Sequence, residues 1–155
     1  MSAVTKAVAG YDTLTRQLER RLPEGLALVL ARLALGGVFW RSGQTKVVEG
    51  TWFQLTDTTV ELFRTEYAGV PLPPDLAAVL GNAGEQILPI LLVAGLFTRG
   101  AAVGLLAMTL TIQVFVYPDA WWPDHSLWAA LALMLIVRGG GLFSLDALVV
   151  GLRRR

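Results

Sequence analysis

Glu85 lies in the middle of an otherwise apolar stretch, Asp75–Phe97, with Asn82 three positions before it, Gln86 beside it and Pro89 four positions after. An ionised carboxylate at the centre of a membrane helix costs roughly 2.5–3.5 kcal/mol, so it persists only with a partner or a task. Candidate partners occupy other apolar stretches: Arg32 and Arg41 in the first, Gln113 and Tyr117 in the third, His125 and Trp128 at the start of the fourth. A buried acid beside a cation can fix helix register, or it can move a proton. Amide, phenol, imidazole and indole groups can donate hydrogen bonds to a carbonyl-bearing ligand. Glu85 is therefore the candidate catalytic group. Arg32, Arg41, Asn82, Gln86, Gln113, Tyr117, His125 and Trp128 are the candidate ligand contacts, and no set reads as a metal site.

Composition narrows the classes of function. The chain has 155 residues, 54% hydrophobic and only 16% charged, with a mean hydropathy of +0.56. Soluble domains carry about 25% charged residues, so this composition is that of a membrane protein. A net charge of +1 gives no basis for nucleic-acid binding. The absence of cysteine removes disulfide exchange, thiolate catalysis, iron–sulfur ligation and covalent c-type haem. A single histidine removes a two-histidine haem site within one chain. Any redox role thus requires a diffusible cofactor or a partner subunit.

The elements that must position these residues follow from hydropathy. Roughly 20 helical residues cross a bilayer core, and apolar stretches near 26–45, 76–97, 101–117 and 123–138 divide a transmembrane domain over 26–139. The fourth is short and needs Trp121–His125 to reach across. Residues 1–25 lack the apolar core of a cleavable signal. Val4, Val8, Tyr11, Leu14, Leu18 and Leu22 recur there at helical spacing, as in an amphipathic helix on the membrane surface, serving as an anchor or docking a partner. Trp52, Leu55, Val60, Phe63 and Tyr67 alternate with charges in the first loop, which predicts a short interfacial helix ending before Val70–Pro74. Trp121, Trp122 and Trp128 form an aromatic belt. Lysine and arginine cluster before the first stretch, at Arg99 and after the fourth, including a 140–155 tail, while the other loops are acidic; this bias places both termini in the cytoplasm. The expectation is an all-α, integral membrane four-helix bundle with up-down-up-down topology.

Helical spacing groups the polar residues into stripes. Arg32, Gly36, Phe39, Gly43 and Lys46 share one line, and the two glycines allow close approach of a neighbour. Asn82, Glu85, Gln86 and Pro89 share another, Thr109, Gln113 and Tyr117 a third, and His125, Trp128, Ala129 and Ala132 a fourth. Polar side chains avoid lipid, so the stripes are expected to converge. At a rise of about 1.5 Å per residue, Arg41 lies roughly 7 Å and Arg32 roughly 21 Å below Lys46 at the edge, and Glu85 roughly 14 Å below Leu76, leaving either arginine able to reach the carboxylate. Arg41 can instead snorkel to water.

Two segments, Arg32–Trp40 (RLALGGVFW) and Ser42–Lys46 (SGQTK), resemble the first span of the DoxX family of small bacterial membrane proteins. Glu85 with Leu92–Arg99 (LVAGLFTR), then Phe115–Trp121, His125–Ala130 and Arg138–Asp146 (RGGGLFSLD) extend the likeness over about residues 26–148. The chain departs from the family pattern at Arg41, where an apolar residue is usual, and at Gln86, where histidine often follows the glutamate. The resemblance implies a four-helix bundle in the bacterial inner membrane. A related group belongs to thiosulfate:quinone oxidoreductase, and some members partner soluble antioxidant or sulfur-handling enzymes. On these grounds the expected function is an inner-membrane subunit linked to redox chemistry, quinone-associated and acting with partner proteins or as a homo-oligomer. Its rivals are a noncatalytic anchoring or assembly subunit and a small transporter.

Overall fold

The computed structural model describes residues 24–153 and, before them, residues 5, 8, 11, 12 and 15. Those five positions are helical, with Val8 and Tyr11 exposed; the rest of the expected N-terminal amphipathic helix lies outside the described residues. Six helices follow: α1 (Glu24–Gln44), α2 (Asp57–Thr65), α3 (Pro74–Ala94), α4 (Thr98–Phe115), α5 (Ser126–Arg138) and α6 (Leu145–Arg153). Among the described residues the only extended pairing is an isolated antiparallel bridge, Val47 with Leu55.

α1, α3 and α4 are long and apolar enough to cross a membrane. The 13 residues of α5 rise only about 20 Å, short of a hydrocarbon core about 30 Å thick. A π-type turn over Trp121–His125 leads straight into α5 and lengthens it. Local signals end the other elements where hydropathy alone did not. Gly95 takes a left-handed conformation (φ 70°) and stops α3, two residues before the apolar stretch runs out at Phe97. Thr56 caps α2 by accepting from the Thr59 amide at 3.1 Å.

The helices pack α1 against α3 and α5, and α4 against α3 and α5. Leu35, Leu92, Leu105 and Leu135, one from each, have no exposure and form the centre of the apolar core. α1 and α3 run antiparallel at close range. A Cβ on Gly36 would lie 2.9 Å from Val93 Cγ2 and 3.4 Å from the Pro89 carbonyl oxygen, and one on Gly43 would lie 3.0 Å from Glu85 Cβ. The expected close approach at these glycines is therefore present.

The two ends of the packed helices differ. At one, α2 lies across the first turns of α3, burying Phe63 against Ala77 and Ala78. At the other, Arg32 donates to the Val93 carbonyl at 3.0 Å and the Phe143 carbonyl at 2.6 Å. Asp146 at the start of α6 accepts from the Phe97 and Thr98 amides at 2.8 and 2.9 Å, and its own amide donates to Gly95. Arg138 pairs with Glu24.

Candidate functional site

The polar faces of α1 and α3 meet where Gly43 removes bulk. α1 ends at Gln44, and the chain turns as Thr45 and Lys46 donate their amides to Ser42 and Gly43. That turn carries the Lys46 side chain back over α3. Nζ donates to Glu85 Oε1 at 2.9 Å and Oε2 at 2.8 Å, and to Ser42 Oγ at 2.8 Å. Ser42 Oγ in turn donates to Glu85 Oε1 at 3.0 Å. Lys46 and Glu85 are 7% and 4% exposed, so this is a buried, closed ion pair. Buried charges hold together only when paired and hydrogen-bonded in this way. The Lys46 backbone is fixed as well: its carbonyl accepts from the Thr56 amide at 3.1 Å and from Thr59 Oγ1 at 2.9 Å.

The cation on Glu85 is thus Lys46, and neither arginine meets it. Arg32 is 2% exposed, but its guanidinium serves the carbonyls of Val93 and Phe143 at the other end. Arg41 is exposed at the end of α1 and forms no ion pair among the described residues. Glu85 instead faces Gly43 near the end of α1, because the first turns of α3 stand beside α2.

The remaining candidates fall into separate groups rather than one cluster. Asn82 and Gln86 stay near Glu85 on α3: Asn82 Nδ2 donates to the Trp52 carbonyl at 3.3 Å, and Gln86 Oε1 accepts from Gln44 Nε2 at 2.9 Å. Asn82 Oδ1 and Gln86 Nε2 are buried without a partner among the described residues. Gln113 joins α4 to the π-type turn, donating from Nε2 to Pro118 at 2.6 Å and receiving His125 Nδ1 on Oε1 at 2.7 Å. Since Oε1 can only accept, His125 carries a proton on Nδ1. The His125 ring lies 5.0 Å from Trp128, which itself packs edge-on to Phe39 at 5.6 Å. Tyr117 donates to Glu66 just beyond α2. Thr109 turns inward to its own helix, on the Leu105 carbonyl at 2.8 Å.

A cavity of about 220 Å³ opens between α2, α3 and α4, and Glu85 is part of its wall. Apolar side chains, among them Phe63, Met108 and Ile112, make up most of the lining. Exposed Leu72, Leu80 and Ala107 stand at its edge. Tyr67 also lines it, stacked on Phe63 at 4.4 Å and edge-on to Tyr117 at 6.4 Å. Burial raises the Tyr67 phenol, and nearby Tyr117, Glu85 and Glu66 raise it further. Its hydrogen bond to Glu66, more than burial, raises Tyr117. Both phenols are hydrogen-bond donors at neutral pH.

Sequence reasoning missed Lys46 as the partner of Glu85, and it named Ser42 and Tyr67 only as parts of a motif and a loop helix, not as site residues. Ser42 and Lys46 stand four apart in the SGQTK segment, a spacing that puts two polar groups on one face of a helix. Phe63 and Tyr67 have the same spacing.

The DoxX family model matches residues 27–118. An uncharacterized protein of Haemophilus influenzae is 28% identical over 141 residues, covering 81% of this chain and 84% of the relative. No solved structure matches the chain.

Proposed function

This chain belongs to the DoxX family of membrane proteins, and from that premise we propose that it is a redox-linked membrane subunit binding a quinone in the cavity beside Glu85. One observation carries the reading: the buried carboxylate of α3 borders an apolar cavity whose edge is formed by exposed Leu72, Leu80 and Ala107. Such an edge, facing lipid, admits a lipid-soluble ligand to a charged group without passage through water.

The residues fit the group. At about 220 Å³ the cavity is smaller than the roughly 300–1,000 Å³ that encloses a whole drug-sized ligand. It suits a ring whose apolar tail stays in lipid. When bound, a quinone supplies a two-electron carrier that partner proteins can load and unload. The chain itself contributes position and charge. Ser42 and Lys46 hold the Glu85 carboxylate at the wall, and the contacts from Lys46 Nζ to Ser42 Oγ to Glu85 Oε1 form a short line along which a proton can move. In this reading α1, α3, α4 and the lengthened α5 cross the bacterial inner membrane up-down-up-down, with both termini in the cytoplasm.

One observation favours a second reading, a noncatalytic anchoring or assembly subunit. Both Glu85 oxygens are already engaged by Lys46, as in a pair that only locks α1 to α3. Mass spectrometry of a solvent extract from protein purified in mild detergent separates the two. Near-stoichiometric quinone supports the cavity reading. Folded protein free of quinone, which also fails to take up added quinone, overturns it in favour of the anchoring subunit.

A further inference from the structure

Three polar side chains line the cavity: Tyr67, Glu85 and Thr111. Two are committed. Glu85 is held by Lys46 and Ser42, and Thr111 Oγ1 donates back to the Ala107 carbonyl at 2.9 Å. The Tyr67 hydroxyl has no hydrogen-bond partner among the described residues, and like any phenol it is protonated at neutral pH, burial raising it further. Its ring is fixed from two sides, stacked on Phe63 and met edge-on by Tyr117, whose own hydroxyl is tied to Glu66. An apolar pocket with one preset, uncommitted donor selects ligands bearing a hydrogen-bond acceptor in the matching place, because an acceptor left unpaired in such surroundings is penalised.

We infer that Tyr67 is the ligand-reading residue of this cavity: its hydroxyl donates to a ring carbonyl of the bound molecule while Phe63 and Met108 contact the ring. This rests on the quinone reading above and adds to it a residue on the loop beyond α2. It also assigns the chemistry that the site accepts, a planar apolar ring carrying a carbonyl, over an apolar molecule of similar size without one. Glu66 and Tyr117 are then positioning residues for the Tyr67 ring.

The test uses a short-chain benzoquinone labelled with ¹³C at its ring carbonyls, added to the full chain in detergent. Its affinity is titrated, and its carbonyl stretch is read by infrared difference spectroscopy. Wild type is expected to bind it with a carbonyl band lowered from that of the free quinone. Tyr67→Phe, which keeps the ring and its packing, is expected to weaken binding about tenfold and return the band toward the free position. If wild type binds and Tyr67→Phe gives the same affinity and the same band, the Tyr67 assignment is overturned while the cavity reading stands. If wild type does not bind at all, both fall. Tyr117→Phe keeps the Tyr67 hydroxyl but frees its ring from the Glu66 tie, so the band is expected to return only part of the way; a return as complete as in Tyr67→Phe would overturn the assignment of the donor to Tyr67.

Discussion

The Lys46 ammonium stands 2.8 Å from Oε2 and 2.9 Å from Oε1 of Glu85, while Ser42 joins the two by donating to Oε1. The helix α1 and the turn that follows it are thereby pinned to the middle of α3. Lys46→Met would leave a carboxylate buried without its cation, and breaking a buried pair in this way costs about 3–5 kcal/mol. The double variant Lys46→Met, Glu85→Leu removes both charges and is expected to recover most of the loss. Thermal unfolding in detergent, followed by circular dichroism, measures the cycle. Simple addition of the two single effects would show that the residues are not coupled.

Two glycines on α1 make a second comparison. A Cβ on Gly43 would press against Glu85 Cβ at 3.0 Å and the Glu85 backbone at 3.3 Å, whereas one on Gly37 meets nothing within 4 Å. Gly43→Val is expected to push α1 from α3 and destabilise the protein by about 1–3 kcal/mol. Gly37→Ala is expected to be neutral or stabilising by up to about 1 kcal/mol, since alanine favours helix. Melting temperatures of the two variants check this, and equal effects would contradict the packing.

Asp146 predicts a pH dependence at the α6 end. Burial pushes its carboxyl up, but hydrogen bonds from Thr98 and Phe97 and the charge of Arg32 outweigh this and hold it below its ordinary value near 3.8. A depressed acid adds stability above its unfolded pKa, and that contribution is lost as pH falls through the lower folded value. Amide exchange at Phe97 and Thr98 is therefore expected to show these amides opening more readily as pH drops below about 4. Asp146→Asn should remove the acid dependence and leave the amides less protected at neutral pH.

Arg32 offers a way to separate fold from function. Its guanidinium reaches two carbonyls, Val93 and Phe143, which a lysine cannot span in the same geometry. Arg32→Lys is expected to cost about 1.5–3 kcal/mol, the worth of one charged hydrogen bond. If the cavity takes a quinone as proposed, the folded fraction should bind it as wild type does, because Arg32 lines no part of the cavity. A folded variant that fails to bind a quinone the wild type takes up would tie Arg32 to the binding site.

The sequence made the elements legible because hydropathy and helix-stop residues act locally. The apolar stretches, the helix in the first loop and the close approach at Gly36 and Gly43 could all be read that way. The partner of Glu85 could not. Lys46 looks like an edge residue by position, and only the turn after Gln44 and the contacts of its carbonyl with Thr56 and Thr59 bring its ammonium inward. The polar stripe on α4 was visible, yet its members part company: Thr109 bonds its own helix, Gln113 turns to His125, and Tyr117 turns to Glu66. Helical spacing reports which residues share a face, and it carries no information about which neighbour each one reaches. The α6 helix also escaped notice, since it begins with Ser144 accepting from the Ala147 amide just after three glycines.

The carbonyl of Lys46 is the point to which the first turn of α2 is tied, through Thr56 and Thr59, while the side chain of the same residue neutralises Glu85. Backbone tether and charge are therefore joined in one residue. A shift of α2 from its exposed face, at Asp57 or Glu61, would reach the carboxylate at the cavity wall through that single residue. A displacement of α2 would thus alter the electric field at the cavity wall with nothing entering the cavity.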